Sequence, residues 1–177
     1  EVICVDQDEK KVEALNRGSI PIYEPGLDEI VKGARKDGSL SFTTDLERAV
    51  QSTEVIFIAV GTPQASDGRS DLSQVENAAK QIAKAANGSK IVAVKSTVPV
   101  GTCRRVERIL GKHGGGHDFQ VSSNPEFLRE GSAVEDFMKP DRIVIGTHEP
   151  SAQQTMRKIY QHFVKQDVPI ILTSLET

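Results

Sequence analysis

Two glutamates, Glu126 and Glu130, lie four residues apart after an Asn-Pro pair. One helical turn would place both carboxylates on a common face, and paired carboxylates suit proton transfer. A glutamate beside a reacting alcohol can accept its proton directly or through water, provided that partial burial raises the pKa of the glutamate toward neutrality. The same spacing also describes a solvent-facing pair with Arg129 between them, and the spacing alone favours that interpretation.

An acidic residue, Asp6, ends the apolar segment Val2–Val5. In a dinucleotide-binding unit, a carboxylate at the end of the second strand accepts hydrogen bonds from the adenosine ribose hydroxyls and repels a 2′-phosphate, which favours NAD over NADP. Lys11, five residues later, can reach the same end of such a cofactor. The ordinary alternatives are a helix N-cap for Asp6 and a solvated helix face for Lys11.

Glycine, hydroxyl groups and proline follow two apolar segments. Gly61-Thr62-Pro63 comes after the segment 55–60, and Ser96-Thr97 comes after 91–94. Such residues keep the backbone open for a ligand at the carboxyl edge of a sheet. On neighbouring strands the two endings would form one crevice, although ordinary turn chemistry explains each of them alone.

The elements that position these side chains are short apolar segments, and they alternate with segments of helical periodicity. This alternation predicts an α/β fold. We expect a Rossmann-like, doubly wound, mainly parallel sheet. The predicted strands are 2–5, 55–60, 91–94, 119–122, 143–146 and 169–172, with helices ending near 15 and at 27–31, 72–86, 102–110 and 151–163. No G-x-G-x-x-G motif follows a strand. We therefore expect the first strand and glycine loop of the fold to precede Glu1, leaving two unpaired strand edges.

Composition narrows the class of protein. The 177 residues fit one domain, and a net charge of -3 with no tryptophan is typical of ordinary soluble proteins and not of nucleic-acid binders. No apolar segment approaches the roughly 20 residues that cross a bilayer, and the N-terminus lacks a signal-peptide pattern. Cys4, Cys103 and the four histidines show no metal-ligand or disulfide spacing, which predicts a metal-free protein of the reducing cytoplasm. Cys103 begins a predicted helix, where a thiol pKa can fall, but we do not nominate it as a nucleophile.

Four motifs, in this order and spacing, strongly resemble those of the UDP-glucose/GDP-mannose dehydrogenase family. They are Tyr23-Glu24-Pro25-Gly26-Leu27, Gly61-Thr62-Pro63, Ser96-Thr97-Val98-Pro99-Val100-Gly101-Thr102 and Asn124-Pro125-Glu126-Phe127-Leu128-Arg129-Glu130-Gly131. The block from Asn124 to Gly146 is most similar to bacterial UDP-glucose 6-dehydrogenases. The resemblance covers essentially the whole chain.

The resemblance implies oxidation of the C6 alcohol of UDP-glucose to the carboxylate of UDP-glucuronate, in two steps with two NAD molecules and a thiol-bound intermediate. The product would feed polysaccharide synthesis. The cofactor-binding residues that it implies are Asp6, Lys11, Gly61, Thr62, Pro63, Ser96, Thr97 and Glu130. The implied catalytic residues are Glu126, Glu130 and Thr97, and the implied substrate contacts are Glu126, Phe127 and Leu128. In this scheme Glu126 assists proton transfer, while Glu130 and Thr97 position a catalytic water.

The resemblance also implies cofactor-binding and catalytic residues that lie outside residues 1–177. The glycine loop of the family would precede Glu1, a catalytic lysine and asparagine would follow Thr177, and the nucleophilic cysteine and its aspartate would lie in a distal domain. We therefore expect residues 1–177 to be a partial NAD-binding domain that neither binds NAD tightly nor turns over by itself, within a homo-oligomeric full-length protein.

Three alternatives remain open from the sequence. GDP-mannose or an N-acetylated UDP-sugar could replace UDP-glucose as the substrate. The chain could instead be a noncatalytic α/β interaction module. A different NAD-linked dehydrogenase, such as a hydroxyacid enzyme, would not be expected to carry the block from Asn124 to Gly131.

Overall fold

A computed structural model describes residues 1–164 and 166–176 of the chain, without the side chain of Val164. Helices and strands alternate, and the strands form a two-stranded sheet β1-β2 and a five-stranded sheet β3-β4-β5-β6-β7. The elements are β1 (Val2–Val5), α1 (Glu9–Asn16), α2 (Leu27–Lys36), β2 (Leu40–Thr43), α3 (Leu46–Ser52), β3 (Val55–Ile58), α4 (Ser73–Ala85), β4 (Lys90–Val94), α5 (Thr102–His113), β5 (Phe119–Ser123), α6 (Ala133–Met138), β6 (Ile143–Gly146), α7 (Pro150–Ile159), α8 (Gln161–Val164) and β7 (Ile170–Thr173).

The chain divides into two compact units. The first unit contains Glu1–Ala49 and Phe127–Pro140, and the second contains Val50–Glu126 with the described part of Asp141–Thr177. In the first unit β1 and β2 pair in parallel, with Val2 opposite Leu40. Among the described residues β1 and β2 pair only with each other, so both edges of this two-stranded sheet are unpaired.

The second unit is built on a five-stranded sheet in which β4, the strand between β3 and β5, is buried along its whole length. Strands β3, β4 and β5 are parallel, and so are β6 and β7, while β5 and β6 meet in antiparallel orientation at Ser123 and Gly146. The fully buried Val75 of α4 and Val106 of α5 belong to the apolar core. A further cluster of buried side chains packs around α7: Ala93, Ile143, Ile145, Met156, Tyr160 and Phe163.

The predicted fold class is confirmed, and most predicted elements lie within a few residues of the observed ones. Three elements were not predicted: β2, α3 and α6. Each has four to seven residues, too few for a clear periodicity, so their formation depends on tertiary contacts. The predicted helix 151–163 is in fact two helices, α7 and α8. No helix in the described part of the chain is long and apolar enough to span a membrane.

Candidate active site

Asp6 lies directly after β1, and its carboxylate is held by two neighbours. Its Oδ1 accepts a hydrogen bond from the backbone N–H of Asp8 (3.0 Å), and its Oδ2 pairs with Nζ of Lys11 (2.5 Å). The hydrogen bond from Lys11, followed by that from Asp8, lowers the pKa of Asp6, so the carboxylate is ionised at neutral pH. Because a carboxylate offers about four lone-pair positions, about two remain for hydroxyl groups of a ligand.

The structure excludes the N-cap interpretation of Asp6. The N-cap of α1 is Asp8, whose side chain accepts the backbone N–H of Lys11 at 3.2 Å. Asp6 instead extends the pairing of β1, with its backbone N–H bonded to the carbonyl of Thr43. Lys11 belongs to α1, and its ammonium group is bonded to the carboxylate of Asp6. Lys11 therefore orients this carboxylate and favours its ionised form.

Within the second unit, the ends of β3 and β4 lie side by side, as predicted. The strands pair in parallel up to Ile58 and Val94, and the hydroxyl of Thr62 donates a hydrogen bond of 2.9 Å to the carbonyl of Thr97. Thr62 is half-buried and Thr97 is exposed. The two predicted strand endings therefore form one continuous polar edge.

Ser96 and Gly61 contribute to this edge in different ways. The hydroxyl of Ser96 donates to the carbonyl of Val60 at 2.7 Å. The backbone N–H groups of Lys95 and Ser96 both donate to the carbonyl of Ile58, where β3 ends. Gly61 is exposed, and a Cβ placed on it would meet no atom within 4 Å. Packing therefore does not require a glycine at position 61, and the space in front of it is open to a ligand. Pro63 follows, and its carbonyl accepts the backbone N–H of Asp71.

Glu126 is half-buried just beyond β5, and Lys95 is half-buried just beyond the neighbouring strand β4. Burial lowers the pKa of Lys95, and the negative charge of Glu126 acts in the opposite direction. Lys95 thus supplies a cation within electrostatic reach of the predicted catalytic carboxylate. The sequence analysis missed it. The available signal was a lysine that directly follows five buried strand residues.

The backbone leading to Glu126 is fixed by a buried network around Asn124, which is 1% exposed. Its amide Nδ2 donates to the carbonyl of Val144 at 2.9 Å, and its Oδ1 accepts the hydroxyl of Tyr160 at 2.6 Å. Burial raises the pKa of Tyr160, so the hydroxyl keeps its proton and remains a donor. The network ties the backbone after β5 to β6 and to the end of α7. It thereby fixes the backbone two residues before Glu126.

The predicted helical turn that would put Glu126 and Glu130 on one face is wrong. Between β5 and Ala133, where α6 begins, no helix forms. The backbone N–H of Arg129 donates to the side chain of Asp136, and Gly131 adopts a positive φ of 84°, which lies outside the helical range. Glu130 is exposed.

The apolar side chains of Phe127 and Leu128 are exposed, at 51% and 37%. Arg129 forms an ion pair with Asp136 of α6, with Nη2 and Oδ1 2.6 Å apart. The guanidinium of Arg129 and its backbone N–H lower the pKa of Asp136 to about 2. This ion pair ties the backbone segment at Arg129 to α6.

Neither cysteine is activated. Cys103 is the second residue of α5 and is 3% exposed, and burial raises the pKa of its thiol. Burial likewise raises the pKa of Cys4. Among the residues that the structure describes, no group of three or more histidine, cysteine, aspartate or glutamate side chains is arranged to hold a metal ion.

Parallel strands that end together in hydroxyl and glycine residues, with a fixed carboxylate after β1, define an α/β domain of the dinucleotide-binding class. Residues 1–164 match the model of the UDP-glucose/GDP-mannose dehydrogenase family, NAD binding domain. The chain therefore belongs to this family, as its NAD-binding domain.

Similar proteins cover the whole chain. It is 48% identical to the UDP-glucose 6-dehydrogenase of Rhizobium meliloti (strain 1021), over 100% of this chain and 41% of that protein. Among solved structures it resembles a UDP-glucose dehydrogenase from Pyrobaculum islandicum, with 44% identity, a TM-score of 0.94, and coverage of 99% of this chain and 41% of that one. It also resembles the GDP-mannose dehydrogenase of Pseudomonas aeruginosa, with 37% identity, a TM-score of 0.93 and the same coverage. The chain thus spans about 40% of the length of the relatives it matches.

Proposed function

We propose that this chain is the NAD-binding domain of a UDP-glucose 6-dehydrogenase, which oxidises the C6 alcohol of UDP-glucose to the carboxylate of UDP-glucuronate. An alcohol reaches the level of a carboxylate by losing four electrons, so each sugar requires two NAD molecules. NAD accepts a hydride in each oxidation when it is bound. The relatives at 42–48% identity that carry this name support the choice of substrate.

The observation that carries the cofactor part of the proposal is the open, polar edge at Gly61, Thr62 and Thr97. The 2.9 Å bond between Thr62 and Thr97 makes this edge continuous, and the space before Gly61 leaves room for a ligand to approach the backbone. Pro63 and Ser96 hold the backbone on either side of it. Asp6 would accept the hydroxyls of the adenosine ribose with its remaining lone pairs, and Lys11 would keep it ionised and oriented.

Proton transfer is proposed for Glu126. Its half-buried carboxylate lies within electrostatic reach of Lys95 and is proposed to accept a proton from the C6 hydroxyl or from a bound water. Thr97 and Glu130 are proposed to position a catalytic water. The segment Phe127–Leu128 is proposed to contact the sugar nucleotide through its backbone.

The remaining assignments follow from the same proposal. Residues 1–177 would act as the NAD-binding part of a longer, homo-oligomeric enzyme, without nucleic acid or membrane partners. The two unpaired cysteines support a cytoplasmic location, because exported proteins more often use disulfides. A GDP-mannose dehydrogenase is the second candidate, supported by the 37% identical structure from Pseudomonas aeruginosa.

The test is to express the complete reading frame that contains this chain and to measure NADH formation with UDP-glucose, GDP-mannose and an N-acetylated UDP-sugar. We expect UDP-glucose to give the highest kcat/KM and two NADH per sugar. A preference for another nucleotide sugar would replace the substrate but keep the reaction. If none of the three reduces NAD, the proposal fails and the interaction-module alternative takes its place.

A further inference from the structure

The first unit contains a contact between two segments far apart in the sequence, both belonging to the motifs singled out above. The carboxylate of Glu24 accepts two backbone N–H groups: Gly131 donates to Oε1 at 2.7 Å, and Ala133 donates to Oε2 at 3.1 Å. The partners are 107 and 109 residues away from Glu24. Glu24 is half-buried, and the hydrogen bond from Ala133 is partly buried.

The turn that carries Glu24 is shaped for this contact. Gly26 adopts a positive φ of 83°, which allows the chain to reverse and begin α2. A Cβ placed on Gly26 would lie 3.8 Å from a methyl group of Val134, so this turn packs against the first residues of α6. The contact therefore rests on packing as well as on the two hydrogen bonds.

A second carboxylate holds the same segment from its other side. Asp136 accepts the backbone N–H of Arg129 at 3.0 Å and also pairs with the Arg129 guanidinium. The backbone is thus anchored at Arg129 by Asp136, and at Gly131 and Ala133 by Glu24. Glu130 lies between the two anchors. We call these contacts the carboxylate clamp.

Capping of α6 alone does not explain Glu24. Ser132 occupies the N-cap position, and serine is among the residues that cap a helix locally. Its hydroxyl nevertheless makes no capping bond and donates to Asp136 at 3.3 Å. A local cap was available in the sequence, and the fold uses a carboxylate from another segment instead. The distinctive effect of the Glu24 contact is to fix the backbone on the far side of Glu130.

We propose that Glu24 is a positioning residue, which holds the segment Phe127–Glu130 in the geometry needed for the dehydrogenase reaction. This inference rests on the proposed function for its catalytic consequence. Glu24 itself does not touch the reacting atoms. It acts through the backbone of Gly131, so its loss changes how well Glu130 and its neighbours are placed.

The variant Glu24→Gln tests this in the full-length protein. The side chain keeps its length, but one oxygen becomes an NH₂ group, which faces a backbone N–H and cannot accept its hydrogen bond. Since a misplacement of about 1 Å can cost about 100-fold in rate, we expect kcat to fall about 10- to 100-fold. We expect the KM for NAD to change less than kcat, because Glu130 is the one predicted cofactor contact that lies in the held segment.

The matched control is Glu29→Gln, in the first turn of α2, where the side chain is exposed. Amide hydrogen exchange of residues 129–134 supplies a second measurement that does not depend on activity. Exchange in this segment should accelerate in Glu24→Gln and not in Glu29→Gln, with the rest of the protein unchanged. Glu24→Asp is the second variant if Glu24→Gln does not accumulate, since it keeps the charge but is too short to reach both N–H groups.

The outcomes separate this inference from the proposed function. Unchanged exchange at residues 129–134 in Glu24→Gln refutes the carboxylate clamp, whatever the activity. Faster exchange with wild-type kcat shows a contact that is only structural and refutes the positioning role. If the wild-type protein forms no NADH with any nucleotide sugar, the proposed function fails and the catalytic role of Glu24 fails with it, while the exchange result still decides whether Glu24 holds the segment.

Discussion

The substitution Gly61→Val tests whether the open edge after β3 belongs to the cofactor. Gly61 has no positive φ, and a Cβ there would meet no protein atom within 4 Å. Valine should therefore be tolerated by the folded domain, with a change in unfolding free energy within about 0.5 kcal/mol, the usual range for surface substitutions. In the NAD complex, the same side chain would enter the space that we propose the cofactor occupies.

The expected loss of NAD affinity follows from this difference between the free domain, which tolerates valine, and the NAD complex, which does not. Forcing additional methyl groups into a filled space typically costs about 1–3 kcal/mol. Because that cost falls only on the complex, it weakens NAD binding by about 5- to 150-fold. We expect the increase in the dissociation constant for NAD, and in its KM, to lie in this range while the protein remains folded.

The matched control is Gly88→Val, in the turn before β4. Gly88 also lacks a positive φ and also has no atom within 4 Å of its Cβ position, but it lies at the amino end of the strand. The assay is NAD binding by calorimetry and steady-state kinetics on the full-length protein, with thermal unfolding of all three forms. Wild-type affinity in Gly61→Val, or an equal loss in Gly88→Val, would refute the assignment of Gly61 to the cofactor.

Three further results are expected. Tyr160→Phe should lower the unfolding free energy in denaturant by about 1–3 kcal/mol, because a buried amide oxygen loses its donor; Tyr23→Phe, at an 88% exposed position, should change nothing measurable, and equal effects would contradict the buried network. Asp6→Asn should raise the KM for NAD about tenfold and reduce the preference for NAD over NADP, since the charge that repels a 2′-phosphate is lost; an unchanged preference would remove Asp6 from the ribose site. The pKa of Asp136 is lowered from 3.8 to about 2, so its contribution to stability is present above about pH 4 and is lost as the pH falls toward 2. A carboxyl titration followed by NMR should show a midpoint near 2 that rises in Arg129→Gln, and a wild-type midpoint near 4 would contradict the ion pair.

Much of the fold could be predicted because it is encoded locally. The apolar segments at Val2–Val5 and Ile143–Gly146 are strands with the predicted bounds, and the Pro-Gly pair before Leu27 makes a turn that begins a helix. Strand-forming residues and turn residues carry these tendencies within a few positions of one another. The candidate residues at the strand ends, Asp6 among them, were found for the same reason.

Hydrogen-bond partners distant in the sequence could not be predicted. The sequence indicated two glutamates at helical spacing, but the backbone of that segment is irregular, with Arg129 bonded to Asp136 and Gly131 at a positive φ. The bond from Tyr160 to Asn124 joins residues 36 positions apart, and that from Gly131 to Glu24 joins residues 107 apart.

The sequence by itself therefore determined the α/β class, most of the elements and the residue types at their ends, because each depends on near neighbours. Only the tertiary structure decided that β2 pairs with β1, that Lys95 lies near Glu126, and that Glu24 holds Gly131. The physical reason is that a buried donor or acceptor must find a partner, and which partner is within reach depends on how the whole chain packs.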